Sequence, residues 1–142
     1  DSAWAADKLA VELFGEIVEP DLLHPTFVCD YPAIAQPLAR PHRSEPGLIE
    51  AWDLIIAGVE RGTGFSELID PVIQRERFTA QSLLAAKGDP EAMRLDEDFL
   101  NALELGAPPM GGVGIGVDRI MMLFTGAGIR ETILFPLLRP HA

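Results

Sequence analysis

Apolar residues recur at helical spacing near the start of the chain, at Ala6, Leu9, Leu13 and Ile17. This spacing of three and four positions predicts an amphipathic helix over residues 2–18. Prolines are then frequent between positions 20 and 46, which leaves room for a short strand at Thr26–Cys29 but for no long helix.

Strand-forming side chains dominate the next apolar segment, which is interrupted at Ala57-Gly58. The pattern predicts a β-hairpin whose turn consists of those two residues. In that hairpin Ile55 pairs with Glu60, and Asp53 lies on the same face as Ile55. The prediction therefore makes Asp53 and Glu60 diagonal neighbours across the two strands.

Two helices are predicted between the hairpin and a later glycine-rich run. Asp70-Pro71 has the form of an N-cap followed by proline at the first helical position, and it begins a helix that ends near Gly88. A second helix is predicted over residues 97–105. Gly106 ends it, because glycine readily adopts the left-handed conformation that a helix C-cap requires.

The glycine-rich run itself, Gly111–Gly116, is predicted to be a strand. Asp118 is then the predicted N-cap of a helix that continues through Phe124, and residues 129–135 form a final amphipathic segment. No repeat or linker marks a second domain. We therefore predict one domain that combines helices and strands.

Composition adds limits on function. The 142 residues are 48% hydrophobic and carry 11 basic against 22 acidic side chains, for a net charge of −11. Such a chain can bury a core, and its charge disfavours a nucleic-acid surface but suits a cationic substrate. Cys29 is the single cysteine, which excludes an internal disulfide. We expect it to be a buried thiol, and no histidine or cysteine cluster has the spacing of a zinc site.

Acidic residues of the hairpin region are candidates for ligand binding. Asp53 and Glu60 could share a magnesium ion that accompanies ATP, since paired hard oxygen ligands leave positions open for phosphate and water. The alternative is two solvated acids beside a turn. Glu67 follows Gly62-Thr63-Gly64, whose glycines permit close approach of a ligand to the backbone, and it could receive an ammonium group. Alternatively, it is an exposed glutamate on a glycine-bulged strand.

Arg119 is the candidate at the other end of the chain. It falls in the first turn of a predicted helix, where the helix dipole disfavours a cation, and an anionic ligand would offset that cost. Its guanidinium could pair with phosphate or stack on a purine. The alternative is a surface pair with Asp118 or Glu131. The glycines before it match neither the dinucleotide-binding turn nor the phosphate loop.

The order of these segments resembles the C-terminal half of the catalytic domain of class II lysyl-tRNA synthetases, over essentially all of residues 1–142. The resemblance implies an α+β fold, an antiparallel sheet flanked by helices. Pro25-Thr26-Phe27, Asp30-Tyr31-Pro32 and Pro37-Leu38-Ala39 look like the family's extended active-site segment. Gly64–Leu68 looks like its amino-acid-binding strand. Residues 111–136, with Gly114–Arg119, Ile129-Arg130-Glu131 and Phe135-Pro136, resemble class II motif 3.

The resemblance implies a role for each candidate residue. Arg119 would be the catalytic residue that contacts ATP, together with Glu60, Asp53 and Gly114. Asp53 and Glu60 would also bind Mg²⁺. Lysine would be bound by Glu67, Thr63, Tyr31 and Gly116, with Glu67 receiving the ε-ammonium. Related aspartyl enzymes have an arginine in place of Glu67, so the glutamate favours lysine as substrate.

Three positions depart from the usual lysyl pattern. Thr63 stands where most of these enzymes have asparagine, Val59 where they have arginine, and Asp53 where they have the longer glutamate. Thr63, Ile69 and His42-Arg43-Ser44 look more like the actinobacterial bifunctional proteins that join a lysyl-tRNA synthetase to a membrane lysylphosphatidylglycerol synthase.

The resemblance also implies what accompanies this segment. Motifs 1 and 2 and the anticodon-binding domain are absent from residues 1–142, so we expect a fragment that is inactive alone. The full-length enzyme would be a homodimer that activates lysine with ATP and charges tRNA(Lys). We expect a cytoplasmic location, in a cytoplasmic protein or a cytoplasmic domain of a larger membrane protein, without membrane contact from this segment. The alternative is a non-catalytic module that binds ATP, lysine or another protein.

Overall fold

A computed structural model describes residues 2–86, 93 and 95–136 of the chain, with side chains from residue 6 onward. The described elements are α1 (Ser2–Leu13), β1 (Thr26–Cys29), β2 (Ala51–Ile56), β3 (Val59–Ser66), α2 (Pro71–Ala86), α3 (Glu97–Glu104), β4 (Gly111–Ile115), α4 (Val117–Thr125) and α5 (Ile129–Thr132). The four strands form one antiparallel sheet in the order β1-β2-β3-β4. This architecture confirms the predicted α+β fold with its antiparallel sheet.

The first helix is shorter than its hydrophobic pattern predicts. Regular α-helical geometry ends at Leu13, and the chain continues as a π-helical turn, Phe14–Val18. A short 3₁₀ turn follows at Glu19–Asp21. Pro20 has no N–H to donate to the preceding turn and therefore cannot continue an α-helix.

The β2–β3 hairpin forms in the predicted register. Ile55 pairs with Glu60 and Ile56 with Val59, so the turn consists of Ala57 and Gly58. Both turn residues have positive φ, +55° and +67°, as a type I′ turn requires. Their N–H groups donate to the carbonyls of Leu23 and Leu22, which fixes the turn against the segment after α1.

A β-bulge interrupts the hairpin just before the site. Leu54 pairs with Gly62 whereas Ile55 pairs with Glu60, so Arg61 is the extra residue on β3. A bulge changes the direction of side chains and increases the local twist of a strand. The sequence analysis predicted the pairing of Ile55 with Glu60 correctly but did not predict this irregularity.

Helices α2 and α3 pack against each other through aromatic side chains. Asp70 caps α2 by accepting from the backbone N–H groups of Val72 and Ile73, as predicted. Phe78 and Leu100 are buried, and the ring centroids of Phe78 and Phe99 are 5.8 Å apart. The predicted end of the first of these helices near Gly88 lies outside the described residues.

The end of α3 follows the prediction more closely than the start of α4. Gly106 follows α3 with φ of +108°, and Gly126 ends α4 with φ of +68°. The predicted N-cap of α4, Asp118, is wrong: Gly116 is the N-cap, and Asp118 lies in the first helical turn. The error arises because β4 ends at Ile115 and the helix begins directly after one extended glycine.

In the predicted amphipathic segment, residues 129–135, helical structure covers Ile129–Thr132, and Ile133 is extended. One further prediction needs correction. Cys29 is exposed rather than buried, since its strand, β1, is at an edge of the described sheet. The buried cluster beside the site consists instead of Ala39, Ile49 and Ala51, with Tyr31 and Phe65 packed against it.

Candidate functional site

Several predicted site residues share one face of the sheet. Asp53 on β2 pairs with Thr63 on β3, and Thr63 pairs with Gly114 on β4. Directly paired residues of antiparallel strands project to the same side. Glu67 lies beyond the end of β3 and bridges to Ala39. The register therefore gathers Asp53, Thr63 and Gly114 into one row across three strands.

An acid pair with a tyrosine beside it lies at the β1–β2 side of this row. Partial burial and the negative charge of Asp53 raise the pKa of Glu60. Burial also raises the pKa of Tyr31, and the hydrogen bond and charge of Asp53 raise it further. The structure thus places Tyr31 beside Asp53.

Glu19 is a third acid near this pair, and the sequence analysis missed it. Its Oε1 accepts a hydrogen bond from the backbone N–H of Glu60 at 3.3 Å. The charge of Glu19 also raises the pKa of both Glu60 and Tyr31. Glu19 is 41 positions before Glu60, and no local pattern indicates that the segment after α1 folds back onto the hairpin.

Arg119 reaches this acidic group from the first turn of α4. Its Nη1 lies 3.5 Å from Oε1 of Glu60 and donates to the carbonyl oxygen of the same residue at 3.0 Å. The positive charge lowers the pKa of Glu60 against the effects of burial and Asp53. The structure therefore pairs Arg119 with Glu60 rather than with Asp118 or Glu131. Glu131 instead accepts from the N–H of Gly128 at 2.7 Å.

The start of α4 is held to β3 by the bulge residue. The carbonyl oxygen of Arg61 accepts from the N–H of Gly116 at 3.0 Å, and its Nη1 donates to the carbonyl of Arg119 at 2.6 Å. Gly116 thus lies at the junction between β4, which contains Gly114, and α4, which contains Arg119. The sequence analysis did not single out Arg61, because nothing in the local pattern marks the bulge.

Glu67 lies at the opposite end of β3. Its backbone N–H donates to the carbonyl of Met110 at 3.0 Å. A methyl group on Gly112 would collide with Oε1 of Glu67, so the absence of a side chain there lets the carboxylate lie directly against β4. Partial burial raises the pKa of Glu67. Such a carboxylate favours a cationic partner that replaces its lost hydration.

The basic cluster at residues 40–43 is largely paired within the chain. Nε of Arg43 lies 2.6 Å from Oε1 of Glu50, and Nε2 of His42 lies 3.5 Å from Oδ1 of Asp30. Nδ1 of His42 accepts from the backbone N–H of Glu45 at 3.0 Å. These contacts favour a salt-bridged loop over a phosphate-binding one.

The acid pair has the chemistry of a magnesium site that a phosphate ligand completes. Asp53 and Glu60 supply hard oxygen ligands, and no cluster of three acidic, histidine or cysteine side chains among the described residues could hold a metal by itself. Mg²⁺ commonly binds through one or two carboxylates plus phosphate oxygens and water. The residues present therefore fit Mg²⁺ bound together with ATP.

No helix in the part of the chain that the structure describes is both long and apolar enough to cross a membrane.

Comparisons with known proteins identify relatives of this chain. Residues 6–139 match the family described as tRNA synthetases class II (D, K and N). Proteins named lysylphosphatidylglycerol biosynthesis bifunctional protein LysX align with 96–97% of the residues of this chain. The protein from Mycobacterium ulcerans is 58% identical over 138 residues, that from Mycobacterium avium 57% over 138, and that from Gordonia bronchialis 56% over 137. The chain spans 12% of the length of each of these relatives.

Proposed function

Because this chain belongs to the class II tRNA synthetases (D, K and N), we propose that it forms part of the active site of a lysine-tRNA ligase. The observation that carries the choice of lysine is the position of Glu67, a partly buried carboxylate packed against Gly112. A lysine side chain ends in an ammonium group, which such a carboxylate would bind by a charge-assisted hydrogen bond. An acidic substrate would be repelled.

Thr63, Tyr31 and Gly116 would line the rest of the proposed lysine site, between Glu67 and the acid pair. Thr63 lies on β3, four positions before Glu67, and its Oγ1 donates to the carbonyl oxygen of Trp52 at 3.4 Å. Tyr31 packs against the core cluster beside the site. In this proposal Glu67 selects the side chain, and the other residues shape the space for the rest of the amino acid.

ATP would bind beside the acid pair, with Arg119, Glu60, Asp53 and Gly114 as its contacts. The ion pair between Arg119 and Glu60 balances their charges in the absence of ligand. On binding, Arg119 would exchange Glu60 for a phosphate oxygen or the face of adenine. Mg²⁺, held by Asp53 and Glu60, would neutralise phosphate charge. Gly114 carries no side chain that would obstruct the nucleotide.

The reaction would proceed in two steps. A lysine carboxylate oxygen attacks the α-phosphorus of ATP, and pyrophosphate leaves, to give lysyl-adenylate. A terminal ribose hydroxyl of tRNA(Lys) then attacks the lysyl carbonyl, and AMP leaves. Arg119 is the catalytic residue of this proposal because its positive charge would stabilise the negative charge that develops on the phosphates.

Other parts of a ligase would complete this site. Val113, Ile115, Val117 and Phe124 on β4 and α4 are between 62% and 80% exposed, and adjacent apolar residues of that exposure are typical of an interface. We propose that they pack against further segments of the catalytic domain, including those with motifs 1 and 2, and that the complete enzyme is a homodimer. A cytoplasmic location, where tRNA and ATP are present, is part of the proposal.

The test is charging of tRNA by the natural protein that carries this chain. With ATP, Mg²⁺ and labelled lysine, we expect lysine to become attached to tRNA(Lys) and labelled aspartate to remain free. If the folded protein binds ATP and lysine but charges no tRNA, the non-catalytic binding module is the better description. Robust charging by these 142 residues alone would contradict the proposal that other segments complete the site.

A further inference from the structure

Arg61 has an unusual environment for a charged side chain. It is only 5% exposed, and its hydrogen-bond partners among the described residues are main-chain carbonyls. Nη1 donates to the oxygen of Arg119 at 2.6 Å, and Nε donates to the oxygen of Ile56 at 3.2 Å. One guanidinium thus joins the last residue of β2 to the first turn of α4.

The backbone of Arg61 makes a second connection to the same turn. Its carbonyl oxygen accepts from the N–H of Gly116, the N-cap of α4, at 3.0 Å. The return contact comes from Arg119, whose Nη1 donates to the carbonyl of Glu60, the residue before Arg61, at 3.0 Å. Three hydrogen bonds between residues 60–61 and residues 116–119 therefore fix both the backbone and the guanidinium of Arg119.

We propose that Arg61 is a positioning residue for ATP binding: it holds the backbone of Arg119 so that the Arg119 guanidinium lies beside Glu60. The inference rests on the proposed function, since it takes Arg119 as the ATP contact. Arg61 itself is buried and touches no substrate in this account. It acts through Arg119.

The rest of α4 provides little else to set this position. Among the described residues α4 packs against β3 and α5, and Val117 and Phe124 are 71% and 80% exposed. The rigid fork of a guanidinium can satisfy two carbonyls at a fixed separation, whereas a lysine ammonium is a single point on a flexible stem. Displacement of a binding group by about 1 Å is enough to cost a large part of its effect.

Arg77 offers a matched control. It is half-buried on α2, and its Nη1 also donates to two main-chain carbonyls, those of Pro37 at 3.2 Å and Ala39 at 2.6 Å. Removing Arg77 therefore deletes the same kind of group and the same kind of bonds. Its partners lie in the segment that bridges to Glu67, not in α4, so ATP binding should be spared.

The experiment measures binding of Mg²⁺-ATP and of lysine separately, by isothermal titration calorimetry, to the natural protein and to its R61M, R61K and R77M variants. Methionine keeps an apolar stem but removes every donor. We expect R61M to bind ATP about tenfold more weakly, the scale seen when groups that orient a ligand-binding residue are removed, with lysine affinity unchanged. We expect R61K to be intermediate and R77M to bind ATP within about twofold of the unaltered protein.

The outcomes separate this inference from the proposed function. If the unaltered protein binds no ATP, the proposed function fails and the inference with it. If it binds ATP and R61M binds equally well, only the role of Arg61 is overturned. Parallel losses of ATP affinity in R61M and R77M, or equal losses of ATP and lysine in R61M, indicate general destabilisation and also overturn it. Should R61M not fold, the same ATP-against-lysine comparison in R61K decides.

Discussion

The Nη1 atom of Arg119 lies 3.5 Å from the Glu60 carboxylate and also donates to the Glu60 carbonyl oxygen at 3.0 Å. These two residues are 59 positions apart and come from different elements, a strand of the hairpin and the first turn of α4. The contact joins Arg119, the residue proposed to bind the nucleotide, to Glu60, a residue proposed to bind magnesium. It explains how an arginine is accommodated at the positive end of a helix dipole, where a cation is ordinarily disfavoured.

Replacing Arg119 with methionine should lower kcat and raise the pKa of Glu60. Loss of a charged transition-state contact lowers kcat by about 10²–10³-fold. Because Arg119 lowers the pKa of Glu60, its removal should raise that pKa further. Steady-state kinetics at varied ATP checks the first effect. The control is Arg130→Met in α5, which should leave kcat unchanged; equal losses in both variants would contradict the role of Arg119.

Substituting the glycine that faces Glu67 should impair lysine binding selectively. In Gly112→Ala the new methyl group collides with Oε1 of Glu67, so the carboxylate must move. We expect KM for lysine to rise by about tenfold, the cost of weakening one charge-assisted hydrogen bond, with KM for ATP unchanged.

The matched control is the neighbouring Gly111→Ala. A methyl group there comes no closer than 3.4 Å to its nearest neighbour, the carbonyl oxygen of Phe65, and β4 can accommodate it with little movement. Gly111→Ala should keep a lysine KM close to that of the unaltered protein. A lysine KM that is unchanged in Gly112→Ala, or raised equally in both variants, would argue against the proposed position of the lysine side chain.

Burial of the site carboxylates predicts the direction of a pH effect on stability. Folding raises the pKa of Glu60 and Glu67 above the ordinary value of 4.5, so the folded state binds these protons more tightly than the unfolded state. Their contribution to the free energy of unfolding is therefore present below pH 4.5 and is lost as pH rises through the raised values. Keeping these two carboxylates partly buried for ligand binding therefore lowers the free energy of unfolding at neutral pH.

Urea unfolding at a series of pH values checks this prediction. Glu67→Gln removes one of the two titrating groups, so its free energy of unfolding should fall less than that of the unaltered protein as pH rises above 4.5. Glu76→Gln, which alters an exposed acid on α2, should keep the slope of the unaltered protein. A steeper fall in Glu67→Gln would contradict the raised pKa.

The hairpin turn predicts a stabilising substitution. Ala57 has φ of +55°, a conformation that costs an alanine roughly 1–2 kcal/mol and that asparagine tolerates better. Ala57→Asn creates the Asn-Gly pair that type I′ turns favour, and should raise the free energy of unfolding by about 0.5–1 kcal/mol. Urea unfolding measures the change.

Gly58→Ala provides the opposite test of the same turn. Its new methyl carbon would lie 2.7 Å from the carbonyl oxygen of Pro20, and φ at this position is +67°. We expect destabilisation, because both the contact and the conformation exclude a side chain. Equal stability of Gly58→Ala and the unaltered protein would show that the turn is not held against the segment after α1.

Local sequence patterns predicted most of the fold. The hairpin strands, the Ala57-Gly58 turn and the Asp70 cap depend on neighbouring residues, and all three appear as predicted. The hairpin register also predicted that Asp53 and Glu60 would be close. These features were accessible because hydrogen bonds and side-chain periodicity over a few residues determine them.

The contacts that complete the site join distant parts of the chain and could not be predicted in this way. Glu19 reaches Glu60 because the chain folds back after α1. Arg61 is aimed at α4 by a bulge that no residue pattern marks. The start of α4 was misplaced at Asp118 because an N-cap pattern of residue types cannot reveal that Gly116 already takes that position. The roles of the site residues in binding remain predictions.

Lysine-dependent exchange between ATP and labelled pyrophosphate, measured on the natural protein, tests the central claim most directly, because exchange requires formation of the lysyl-adenylate but no tRNA. We predict exchange with lysine and none with aspartate. In Glu67→Gln we predict a lysine KM about 10–100-fold higher, since a hydrogen bond to a charged group contributes about 1.5–3 kcal/mol, with an unchanged KM for ATP. A folded protein that shows no lysine-dependent exchange, or a Glu67→Gln variant with an unaltered lysine KM, would contradict the account.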